Sequence, residues 1–129
     1  MGNLGEDVAC KFLVSKGFVV LARNYQKKWG EIDIIARKDT DPQGAVPAVH
    51  FFEVKSVSAD WRGHSPEENV HSLKTRHIRR MIETYLTERK GVFSRADIFE
   101  TPFQFHVLCV YLNMQTHRAT VKWLQNIVL

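Results

Sequence analysis

The sequence predicts a single α/β domain with elements in the order α-β-β-β-α-β-β. Two stretches repeat their apolar residues at helical spacing, and five shorter runs carry the branched, aromatic and alternating character of strands. Clusters of Gly, Pro, Asp and Asn separate them. The chain of 129 residues, 44% hydrophobic, suffices for one core and has no room for a second.

From Asn3 to Ser15, Leu4, Val8, Ala9, Phe12 and Leu13 recur at helical spacing, and Gly17 follows as a stop. Phe18 to Asn24 and Glu31 to Arg37 are strand-like, and Lys27-Lys28-Trp29-Gly30 between them makes a hairpin. Lys38 to Pro47 is rich in turn formers and reads as a surface loop. Val49 to Val57 is the third strand, and Asp60 to Pro66 is again loop-like. Glu67 to Arg89 is the longest helical pattern, ended by Lys90-Gly91. Pro102 to Leu112 and Ala119 to Leu124 close the sheet, with Asn113 to His117 as their turn. There is no internal repeat and no low-complexity tract.

Eighteen basic residues against fourteen acidic give a net charge of +4, a mild excess that permits a polyanionic partner without demanding one. Cys10 and Cys109 are too few for a disulfide scaffold, which points to a reducing, cytoplasmic setting. No apolar run approaches the ~18 residues of a spanning helix, so no membrane role is expected.

Along the second strand, alternation places Glu31, Asp33 and Ile35 on one face and Ile32, Ile34 and Ala36 on the other. In the third it groups Phe51, Glu53 and Lys55 against Phe52, Val54 and Ser56. If these strands pair, two carboxylates and one ammonium converge. Neighbouring carboxylates repel unless a cation intervenes. Mg²⁺ suits such a site because it accepts one or two carboxylates, keeps several waters and takes phosphate oxygens. A nearby lysine can orient or deprotonate the attacking water, or steady charge on the phosphate. A solvated strand face would show the same alternation of charge.

Gly5-Glu6 with Ala9, Gly17-Phe18, Arg23-Asn24, Gly30-Glu31-Ile32-Asp33-Ile34-Ile35-Ala36 and Phe52-Glu53-Val54-Lys55 tip that balance. Over nearly the whole chain the sequence resembles the YraN-like bacterial proteins of the restriction-endonuclease-like (PD-(D/E)XK) nuclease superfamily. The resemblance implies a three-layer α/β fold, a central mixed sheet flanked by helices, with residues 1–129 forming one nuclease-like domain. It implies a metal site with Asp33 and Glu53 as ligands and Lys55 as a catalytic residue. Glu6 looks like the extra acidic residue of the resolvase-like branches and joins that catalytic and metal-binding set. The implied function is an Mg²⁺- or Mn²⁺-dependent endonuclease acting on DNA, branched or damaged forms included. A non-catalytic nucleic-acid-binding scaffold in DNA processing and a nuclease acting on RNA are the alternatives, and a homodimer is left open, since fold alone does not carry substrate.

Two positions depart from the family pattern. Ser56-Val57 stand where an arginine is expected, and His106 replaces an aspartate, altering a structural hydrogen bond at the sheet edge.

Among substrate-binding candidates, Trp61 and Arg62 can stack on a base and contact a phosphate, or form a lid over the core. Lys74 falls near the middle of the stripe formed by Val70, Leu73, Ile78, Met81 and Tyr85, so it faces the sheet. Its ammonium either snorkels to water or reaches the bound phosphate and the acids. Arg76, Arg79 and Arg80 point away from that stripe as a solvated basic face. The six histidines show no metal-ligand spacing, and most of them read as surface or partly buried polar residues.

Overall fold

A computed structural model of the protein describes residues 4–38, 48–58, 67, 75–89 and 102–129. The elements are α1 (Leu4–Ser15), β1 (Phe18–Lys27), β2 (Gly30–Lys38), β3 (Val49–Ser58), α2 (Thr75–Glu88), β4 (Phe103–Asn113) and β5 (Arg118–Leu124). This is the expected order. The strands lie in one sheet in sequence order; β3 and β4 pair in parallel and the other neighbours antiparallel. A parallel pair needs a crossover, and α2 belongs to it.

Strand β1 runs beyond the expected Asn24 because Tyr25, Gln26 and Lys27 find partners in Ile32, Glu31 and Gly30. Lys28 and Trp29 alone then turn the hairpin. Helix α1 ends where Gly17, at φ 92°, adopts the left-handed conformation that a side chain resists. Lys38 closes β2 opposite Phe18 rather than opening the loop; residues 39–47 lie outside the described residues.

Each face of the sheet carries a helix and its own apolar cluster, which makes three layers. Ala9 and Leu13 of α1 pack with Phe18, Ile34, Ala36, Phe52, Leu108 and Val110. On the other face Met81, Ile82, Tyr85 and Leu86 of α2 pack with Ile32, Ile35, Phe51, Phe105, Val107 and Cys109. Phe51, Phe52 and Phe105 are wholly buried, and burying a Phe or Leu side chain contributes about 1.5–3 kcal/mol.

The alternation expected for β2 fails at one place. Ile32 packs toward α2 and Ile34 toward α1, although they are two positions apart. The break falls at Asp33, and its cause is described below. His106 is also misplaced by the sequence: β4 lies between β3 and β5, so His106 is an interior residue with 0% exposure. His50 is buried beside it, while His77 and His117 are exposed as expected.

Within α2, Ile78, Met81 and Tyr85 face the sheet as the periodicity requires. Val70, Leu73 and Lys74 lie outside the described residues, as do Trp61 and Arg62.

Candidate functional site

The two central strands stay together only from Ile34–Phe52 to Arg37–Val49. Beyond that, β2 continues with β1 and β3 continues with β4, so the sheet opens between them. Asp33 sits at the opening. Its Oδ2 accepts the Val54 backbone N–H at 2.7 Å, a side chain replacing the ladder bond that the departing strand gives up. Asp33 thus reaches across to β3, and the faces of β2 change register around it where Asn24 of the paired strand takes a left-handed φ of 52°.

Burial raises the Asp33 carboxyl to about 6; the Val54 N–H opposes this, and the charges of Glu31, Glu53 and Glu6 add to it. Three other acids thus act on Asp33. Glu53 projects from the neighbouring strand, and Lys55 Nζ lies 3.8 Å from its Oε1. Both are half-buried and share the α2 face with Phe51 by strand alternation.

Glu6 is buried, with 7% exposure, but its oxygen is engaged: Arg23 Nε donates to Oε1 at 3.0 Å. Arg23 also donates to Asp7 at 2.7 Å. Helix α1 is fixed over the opening by this fork and by Gly5, which meets Ser56 so closely that a Cβ would stand 2.5 Å from the serine Cβ. The position expected to hold an arginine therefore serves as a small seat for the helix.

The sequence did not single out Glu67. Tyr111 donates its hydroxyl to the Glu67 carboxylate, and burial together with that carboxylate pushes the Cys109 thiol up to about 11. Cys109 is the register partner of Lys55, so Glu67 stands on the same side of the sheet as the lysine. No spacing rule predicts it, because it meets β4 only through the tertiary fold.

Among the described residues, no three His, Cys, Asp or Glu side chains gather closely enough to enclose an ion by themselves. The donor chemistry still fits a hard cation, since Mg²⁺ is commonly held by one or two carboxylates with water and phosphate oxygens in the remaining positions. A half-buried Asp33 under the influence of Glu53 is a place where such a cation would be stabilised.

The fold and this opening define a three-layer α/β protein with a carboxylate pair and a lysine where the central strands part. The chain belongs to the uncharacterised protein family UPF0102, whose model matches residues 5–110. It is 33% identical to a UPF0102 protein of Campylobacter fetus over 126 residues, covering 98% of this chain and 91% of the relative. A UPF0102 protein of Campylobacter jejuni is 38% identical over 109 residues, 84% of this chain and 81% of the relative. One from Desulforamulus reducens is 32% identical over 126 residues, 98% and 93% of the two chains. Among the described residues no helix is long and apolar enough to cross a membrane.

Proposed function

We propose that this protein is a metal-dependent endonuclease that hydrolyses phosphodiester bonds in DNA, branched or damaged forms included. The observation that carries this reading is the setting of Asp33. It is a half-buried carboxyl held at the parting of two strands, with Glu53 within electrostatic reach and Lys55 beside Glu53. Holding mutually repelling acids together is costly for a protein that makes no use of them.

Asp33 and Glu53 would hold Mg²⁺ or Mn²⁺, which when bound supplies Lewis-acid polarisation of the phosphate and an acidified water. The Val54 N–H fixes the Asp33 carboxylate in one orientation. Glu53 restrains the Lys55 ammonium, which orients the attacking water and offsets charge growing on the phosphate. Glu6, held by Arg23, adds negative potential and keeps helix α1 in place. A reducing cytoplasm suits the two free thiols.

The deciding experiment incubates the protein with linear, single-stranded, flapped and four-way-junction DNA in Mg²⁺ and in Mn²⁺. Cleavage of at least one form, lost in Lys55→Ala, is the expected result. No cleavage of any form in either metal would remove the DNA-endonuclease reading and leave a scaffold or a nuclease acting on RNA.

A further inference from the structure

Sequence alone makes the arginines of α2 an ordinary solvated face; the fold gives them a neighbour. The β1–β2 turn is clamped to the helix. The His77 ring lies with Nδ1 3.2 Å from the Trp29 carbonyl oxygen, so the ring donates to it. A Cβ at Gly30 would stand 3.1 Å from the Met81 side chain. Above these contacts the Arg80 guanidinium stacks over the Trp29 ring, 4.2 Å from its centroid.

Stacking occupies the face of the guanidinium and leaves its in-plane N–H donors at the rim, the geometry in which arginine meets a phosphate. Arg76 precedes Arg80 by one helical turn, which sets their Cβ atoms about 6 Å apart. Lys28 is the turn residue next to Trp29. All three are exposed, and among the described residues none of them has an ion pair. The contrast with their neighbours is direct: Lys27 is bound to Glu88 at 2.5 Å, and Arg23 is bound to two acids. Arg79 belongs elsewhere, lining a cavity of about 260 Å³ with Phe103, Asn126 and Ile127. Glu31, which follows Gly30, and Glu83, three positions after Arg80 on α2, are exposed carboxylates beside the basic residues.

From Gly30, where this turn enters β2, to Asp33 is three strand residues, about 10 Å. That is roughly three base steps of rise along one DNA strand. We propose that Lys28, Arg76 and Arg80 form a phosphate-binding surface that grips the backbone of duplex DNA a few steps from the carboxylate site. The proposal rests on the nuclease reading for its substrate class, while its test is separate. Trp29 preorganises Arg80, and Lys28 and Arg76 extend the grip along the backbone.

The test is binding of a short fluorescein-labelled DNA duplex, in Ca²⁺ to suppress cleavage, to the full chain and to Lys28→Gln/Arg76→Gln. The expected result is an affinity at least about tenfold weaker, with the slope of log K against log salt reduced by about two for the two lost phosphate contacts. Thermal unfolding should be unchanged, since both side chains are exposed. Arg80→Lys keeps the charge without the planar stack and should fall between the two. Unchanged affinity and salt slope in the double variant would overturn the surface, as would a wild-type protein that does not bind duplex. A wild type that binds through these residues and cleaves nothing in Mg²⁺ or Mn²⁺ supports the surface and refutes the nuclease instead.

Discussion

His106 Nε2 lies 2.9 Å from His50 Nδ1, and the Asn126 backbone N–H bonds to His106 Nδ1 at 3.1 Å. An amide can only donate, so Nδ1 of His106 is the acceptor and its proton resides on Nε2, which donates to His50. The rings stack at 5.2 Å and pack on Phe52 and Trp123. His106 thus ties β3, β4 and the segment after β5 together.

This pair and Asp33 give stability two opposed responses to acid. Burial, with the charges of His50 and Lys38, lowers His106 from 6.5 to about 4. The unfolded chain therefore takes up that proton first, and the His106 contribution, full above about 6.5, is lost as pH falls toward 4. Asp33 is raised from 3.8 to about 6, so its effect runs the other way, and stability grows as pH falls from about 6 to 3.8. Each is on the order of 2 kcal/mol over its window. Asp33→Asn keeps an oxygen for the Val54 N–H and removes one of the two. Urea unfolding without metal should show this variant losing about 2 kcal/mol more than wild type between about pH 7 and about pH 4.5. Parallel curves would mean that Asp33 does not titrate as described.

Gly5→Ala should cost on the order of 2 kcal/mol, because the new Cβ stands 2.5 Å from the Ser56 Cβ and 2.6 Å from its Oγ. In a Ser56→Gly background the obstruction is gone, and the same change should be neutral or favourable through helix propensity. A double-mutant cycle by denaturant unfolding measures the coupling. Additive costs would show that helix α1 does not rest on this contact.

Asp33→Asn and Glu53→Gln each replace an anionic oxygen with a neutral amide of similar shape. Mn²⁺ affinity by titration calorimetry should fall about tenfold or more in either. Wild-type affinity in both variants would place the metal elsewhere.

Lys55→Ala removes a charge that is not a ligand. Cleavage should drop by roughly 10²–10⁴ while Mn²⁺ affinity stays within about threefold of wild type. A variant that cleaves normally would release Lys55 from the reaction.

The element order was legible because each run kept its own periodicity, and Phe51, Phe52 and Met81 took the faces that the pattern assigned. The exception was Asp33. Alternation presumes an unbroken ladder, and at Asp33 the ladder is interrupted on both sides, by the left-handed Asn24 on β1 and by the parting from β3, which no reading of β2 alone could reveal. The basic face of α2 was legible as charge but not as a place, since its partner Trp29 comes from a turn about fifty residues earlier. His106 was read against a family pattern and so assigned to an edge, whereas parallel pairing on one side and antiparallel pairing on the other bury it.

The parallel pairing of β3 with β4 also sets the order in which the protein can assemble. Ile34 and Phe52 are near in sequence and can meet early, whereas Val49 waits for Phe103, more than about fifty positions later. Closing so long a loop slows the search for the native state. Until β4 arrives, a chain leaving the ribosome carries Val49, Phe51 and Phe52 beside a row of open amides and carbonyls, the kind of edge that recruits other chains.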